Sequence, residues 1–328
     1  MKRILQGLAL LLVLVLVSVG LLAFWYLRWD EIPPPDLPGS LQQGSLQHDG
    51  RLRTWQAYVP ANLAENPALL LLLHGSRGDG AYMRASTFYG FDVLAERGGF
   101  IAIYPDGFER HWNDCRAGAD YRANLENIDD VGFLQALAGR LSRELGADLS
   151  RVYVAGISNG GHMAFRLGLE APESVAGIAA IAANLPVADN FDCSESMQPV
   201  ATLVINGTAD PVNPYAGGVV EIFGNTSRGL VRASMETANY WARLAGHGGA
   251  GQQMTWPERA PGDGTSVRST SWEGPSGPPV QLLTIVGGGH TIPNPVYAQP
   301  KIIGATSHEF DSAEVIWSFF SLGAPVQP

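Results

Sequence analysis

Short apolar runs that stop at glycine-containing turns, separated by stretches of helical periodicity, constrain this chain more than any other feature. Ala68 to Leu73 is continuously apolar and ends in His74-Gly75, Phe100 to Tyr104 ends in Pro105-Asp106-Gly107, and Arg151 to Ala155 runs into Gly156. Gly177 to Ala182, Ala201 to Ile205 and Gln281 to Val286 complete the series. Runs this short, with no polar alternation, read as strands buried on both faces. Between them, Ile128 to Leu145 sets Val131, Leu134, Ala138, Leu141 and Leu145 on one face. Asp129 and Asp130 occupy its first turn and Gly146 stops it. Further helical patterns cover 159–169, 231–245 and 312–322. The alternation predicts an α/β fold, a mostly parallel central sheet with helices on both faces. With 46% apolar and 16% charged residues in a chain of 328, a large core is available, and the composition argues against disorder.

The ends and connections divide the chain further. Lys2 and Arg3 precede an uncharged run from Gly7 to Leu27, long enough to span a bilayer, with Phe24, Trp25, Tyr26 and Trp29 crowding its far end. Residues 1–28 therefore read as a membrane anchor. The alternatives are a cleaved signal, with Ser18-Val19-Gly20 as its cleavage site, and a buried core helix. Basic residues at the front keep that end cytoplasmic and export the rest. Residues 29–44, with Pro33-Pro34-Pro35, read as a stiff spacer, and 45–328 as the catalytic domain. Asp49-Gly50, between strand-like flanks from Leu46 to Val59, signals a hairpin. Gly246 to Pro279, rich in Gly, Pro and Ser, is expected to be a surface excursion. Cys115 and Cys193 fit one disulfide in an exported protein, with two buried thiols as the alternative.

The chemistry concentrates at strand ends. In Gly156-Ile157-Ser158-Asn159-Gly160, a serine stands between a strand and a helix with glycines two places before and after it, the pattern of a nucleophile held on a sharp turn. A serine hydroxyl needs a base and a group to orient that base. Asp210 follows the 201–205 strand, and His290 follows the 281–286 strand in Gly287-Gly288-Gly289-His290, in the order acid then histidine. That loop is read as flexible, able to swing the imidazole over the serine. The tetrahedral intermediate requires donors. The backbone N–H groups of Asn159, after the nucleophile, and of Ser76, after His74-Gly75, are the candidates. No Cys/His cluster suggests zinc, no phosphate loop suggests a nucleotide, and a net charge of −10 argues against nucleic acid.

The runs Leu72-Leu73-His74-Gly75, Tyr104-Pro105-Asp106-Gly107, Trp112-Asn113, Asp129-Asp130-Val131-Gly132-Phe133, Gly156-Ile157-Ser158-Asn159-Gly160-Gly161, Asn206-Gly207-Thr208-Ala209-Asp210-Pro211 and Gly288-Gly289-His290-Thr291 lie in a characteristic order. In them the chain resembles the polyhydroxybutyrate depolymerases and feruloyl esterases with a single secreted catalytic domain. That resemblance implies an α/β-hydrolase that cleaves carboxylic esters without metal or organic cofactor. Two positions depart from the pattern. Ser76 stands where many members have cysteine, and Ile292 where many have tryptophan beside the catalytic histidine.

The reading is an extracytoplasmic serine carboxylesterase acting on small or oligomeric esters, tethered by its N-terminal helix or secreted. Its rivals are a serine peptidase or acyltransferase on the same fold, or a binding protein that has lost activity. The stretch 215–230 and the loop after His290 are expected to line the pocket.

Overall fold

The computed structural model describes residues 2–328; Met1, the first residue of the 1–28 segment, lies outside the described residues. An N-terminal helix α1 (Lys2–Leu27) precedes a hairpin of β1 (Ser40–His48) and β2 (Arg51–Val59) that turns at Asp49-Gly50. Next come β3 (Leu69–Leu73), the short helices α2 (Gly80–Ser86) and α3 (Gly90–Gly98), and β4 (Ile101–Pro105). A helical turn α4 (Arg122–Leu125) and the long α5 (Asp130–Leu145) lead to β5 (Val152–Ile157), α6 (Asn159–Glu170), β6 (Gly177–Ile181) and β7 (Ala201–Gly207). The two-residue strands β8 (Gly218–Val219) and β9 (Leu230–Val231) pair with each other outside the main sheet. Finally α7 (Ser234–Leu244), β10 (Gln252–Thr255), β11 (Ser266–Trp272), β12 (Val280–Val286) and α8 (Ser312–Leu322) complete the chain.

Ten strands form one sheet in the order β1-β2-β4-β3-β5-β6-β7-β12-β11-β10. The block from β4 to β12 is parallel, and the flanking β1, β2, β11 and β10 are antiparallel. Alternate side chains of each central strand enter different cores, because a strand's side chains alternate between faces. Leu69, Leu71 and Leu73 pack with α5, α6 and α7 on one face, while Leu70 and Leu72 pack with α3 and α8 on the other. All five leucines are at most 2% exposed, each stabilising the fold by about 1.5–3 kcal/mol relative to exposure. The expected α/β-hydrolase architecture, helices on both faces of a mostly parallel sheet, is the one observed.

Two boundaries differ from expectation. The first strand starts at Ser40, inside the 29–44 stretch read as spacer, because nine residues pair in register with Arg51–Val59 once the tight turn fixes the alignment. The 246–279 stretch is no loop excursion: β10 and β11 extend the sheet beyond β12 as an antiparallel edge. Its glycines and prolines occupy the connections. The polar strand Gln252–Thr255 suits an edge that faces water.

Candidate active site

β5 hands over to α6 at Ser158, whose backbone (φ 54°, ψ −119°) lies where side chains other than glycine are strained, at a cost of about 1–3 kcal/mol. The strain is held on both sides. Ser158 N–H donates to Ile181 O at 2.8 Å, and Ser158 C=O accepts from His162 N at 2.9 Å. The flanking glycines are needed for close approach. A β-carbon on Gly160 would come within 2.6 Å of the His74 carbonyl oxygen, and one on Gly156 within 2.8 Å of Gly161 N.

Asp210 sits in the loop after β7, its side chain 1% exposed. Its Oδ1 accepts from the N–H groups of Val212 (2.7 Å) and Asn213 (2.8 Å), and its Oδ2 lies 2.8 Å from His290 Nδ1. An ionised carboxylate only accepts, so Nδ1 carries the proton and Nε2 is left as the acceptor. His290 and Ser158 line the same cavity. The glycine run before His290 is fixed, contrary to the flexible loop read from sequence. Gly287 N–H donates to Thr208 Oγ1, Gly288 O accepts from Ala209 N, Gly289 N–H donates to Ala305 O and His290 N–H to Ile303 O. These glycines let the acid-bearing and histidine-bearing loops touch backbone to backbone, which fixes the imidazole.

His74 and Asn159 organise the opposite side. His74 is fully buried, and that burial pushes its pKa down to about 4, so the ring is neutral. Its Nε2 accepts from Gly107 N at 2.9 Å, which leaves the proton on Nδ1 to donate to Gly75 O at 2.7 Å. This fixes the loop carrying Ser76 against Ser158; a β-carbon on Gly75 would lie 3.5 Å from Ser158 Cβ. Asn159 opens α6, so its N–H has no acceptor within the helix and is free for a ligand oxygen.

A buried polar network beneath Asn159 was not evident from sequence. Asn159 Oδ1 accepts from Trp112 N (2.8 Å), while Nδ2 donates to Trp112 O (3.0 Å), Asp114 Oδ2 (2.6 Å) and Tyr121 Oη (3.0 Å). Asp114 also accepts from Arg116 Nη2 (2.5 Å) and Nε (3.0 Å) and from Tyr121 Oη (2.6 Å). Burial would raise the Asp114 carboxyl, but the Arg116 guanidinium beside it wins and holds it well below the usual carboxylate range. Cys115, between these two, is bonded to Cys193, the pairing expected for an exported protein. Trp112-Asn113 marked the neighbourhood. Asp114 had no signal of its own, because Asn159 lies 45 residues further along the chain.

The cavity, about 450 Å³, is lined by Ser76, Ser158 and His290, by Val212, Ile222 and Phe223 from the excursion after β7, and by Gln299, Ile302 and Ile303 from the loop after His290. Ile222 and Phe223 fall in the 215–230 stretch expected to line it, and Gln299, Ile302 and Ile303 in the loop after His290, while Val212 lies before that stretch. Tyr215, expected there too, instead meets Thr284 Oγ1 at 2.7 Å. Tyr82 and Ser86 of α2 form a wall that the sequence did not disclose.

The fold defines an α/β-hydrolase. No family model matches the chain. It is 29% identical over 280 residues to a protein named as an esterase, NocK of Nocardia uniformis subsp. tsuyamanensis, covering 82% of this chain and 79% of that one. It is 29% identical over 232 residues to feruloyl esterase B of Neurospora crassa, covering 64% and 76%. Among solved structures, an acetyl xylan esterase from Aspergillus awamori superposes with a TM-score of 0.53 at 22% identity, covering 78% of this chain and 96% of that one. The resemblance to the polyhydroxybutyrate depolymerase and feruloyl esterase family of α/β-hydrolases is thus borne out, and the relatives are carboxylic ester hydrolases.

Proposed function

We propose that the chain is an extracytoplasmic serine carboxylesterase with Ser158 as nucleophile, His290 as base and Asp210 as the group that orients it. The observation that carries this reading is the Asp210–His290 hydrogen bond beside a cavity that His290 shares with the strained Ser158. Ser158 Oγ attacks the ester carbonyl as His290 Nε2 takes its proton; the backbone N–H groups of Asn159 and Ser76 receive the developing oxyanion. Collapse expels the alcohol with the proton from His290. Water, activated by the same imidazole, then releases the acid from the acyl-enzyme. Asp210 stabilises the imidazolium formed in each step.

The apolar helix 3–27 and the disulfide support export, with α1 as an anchor. Relatives of the chain are named for feruloyl and acetylxylan esters, in line with carboxylic ester hydrolysis. Ser158→Ala is expected to leave a folded protein that neither hydrolyses p-nitrophenyl acetate nor labels with a fluorophosphonate. Retention of more than a small fraction of wild-type turnover would overturn the assignment.

A further inference from the structure

The catalytic cavity and the end of α1 share a wall. Ile302 and Ile303 line the cavity, and Lys301 beside them sets its ammonium 3.7 Å from the ring centre of Trp25. Gln299 lines both the cavity and a neighbouring recess formed with Trp25 and Tyr26. The chain leaving the helix stays docked. Trp29 stacks on Tyr82, itself a cavity wall, with ring centres 5.8 Å apart. Asp30 N–H donates to Ala298 O at 3.0 Å, and Asp30 Oδ2 accepts from Ala298 N at 2.9 Å. A tether fixed at these points holds the cavity beside the level at which Trp25 and Tyr26 leave the apolar span, the interfacial level of a bilayer.

Exposed apolar side chains stand at the cavity, Phe223 and Ile302, and at Val296, two residues from the Ala298 that Asp30 bonds. Phe223 is 78% exposed, Val296 67% and Ile302 41%. Phe223 stands at the tip of a tight hairpin in which Ile222 and Asn225 exchange backbone hydrogen bonds. Its φ of 48° is one that a bulky aromatic usually avoids. Exposed apolar groups clustered around a cavity mark a surface that meets an apolar partner. Lys301 and Arg28, both exposed, supply the cationic groups that sit among lipid headgroups.

We propose that the cavity mouth opens onto the extracytoplasmic leaflet of the membrane that α1 spans, and that the substrate is an amphiphilic carboxylic ester whose acyl chain resides in that leaflet. This rests on the esterase and anchor readings above. Ile157, Val212, Ile222, Phe223, Ile302 and Ile303 give the acyl chain an apolar path from lipid to Ser158, so its methylenes need not cross water. The ester C–O bond breaks as the Ser158 Oγ–acyl bond forms, and the alcohol leaves with the proton from His290. Water then returns the free acid to the leaflet.

The test uses the full chain in phosphatidylcholine vesicles, with flotation reporting the anchor and p-nitrophenyl acetate in the buffer reporting the esterase. p-Nitrophenyl palmitate is supplied either in the same vesicles as the protein or in separate ones. The expected result is hydrolysis about tenfold or more faster in shared vesicles, because the leaflet raises the local substrate concentration, with acetate hydrolysed equally in both. Val296→Asp, outside the cavity lining, is expected to lower the shared-vesicle palmitate rate about fivefold or more by setting a charge in the interface, with acetate hydrolysis unchanged. Equal palmitate rates in shared and separate vesicles, or an unaffected Val296→Asp, would overturn the inference while acetate hydrolysis keeps the esterase reading. Loss of acetate hydrolysis, or failure to float, removes one of the two readings it rests on, and the inference with it.

Discussion

Removing the Asp114 carboxylate exposes the energetics of the network beneath Asn159. Asp114→Ala leaves the Arg116 guanidinium, 2% exposed, with no counter-charge, and removes acceptors from Tyr121 and Asn159. Breaking a buried ion pair from one side costs about 3–5 kcal/mol, most of it the penalty of the stranded charge. That is a large part of the roughly 5–15 kcal/mol available to a folded domain. Urea unfolding followed by tryptophan fluorescence is expected to show this loss for Asp114→Ala. The double variant Asp114→Ala/Arg116→Met, which strands no charge, is expected to recover to within about 2 kcal/mol of the parent. Activity separates the positioning role from stability. Asn159 Nδ2 loses one of its acceptors in both variants, so its N–H drifts from the oxyanion position, and turnover is expected to fall about 10- to 100-fold even in the stable double variant. A cost below about 1 kcal/mol for Asp114→Ala, or full turnover in the double variant, would refute the reasoning.

Two further outcomes follow from buried groups elsewhere. Burial holds His74 at about 4, against 6.5 for a free imidazole, so between these pH values the unfolded chain binds the extra proton. Stability is fully present above 6.5 and is lost as pH falls toward 4, by about 3 kcal/mol, with His162 acting in the same direction; a urea midpoint that does not fall over this window would contradict it. Replacing Cys115 and Cys193 together by serine removes a cross-link across 78 residues. The loss by the loop-closure argument is up to about 4.5 kcal/mol, and an unchanged unfolding curve would show that the bridge is not what holds the 115 and 193 segments together.

The α/β architecture was legible because buried parallel strands are continuously apolar and cannot be mistaken for amphipathic ones. The turn around Ser158 was legible for a related reason: only glycine fits where the backbones of β3 and α6 nearly touch. Sequence misjudged 246–279, since edge strands facing water carry no apolar run and resemble loops. It also took the glycines before His290 for mobility, whereas they permit contact with the Asp210 loop, a distinction set by what lies across the gap.

By itself the sequence determined the fold class, the candidate nucleophile, acid and base, and the apolar N-terminal span, because each depends on short-range pattern: periodicity, turn glycines and strand-end position. Only the tertiary structure decided which buried charges meet under Asn159, which loops wall the cavity, and that the end of α1 abuts that wall. Those contacts join residues tens to hundreds of positions apart, as Asp30 and Ala298 are, 268 residues apart in the chain. No local pattern encodes such a meeting, since it depends on how the whole sheet stacks its loops at one edge.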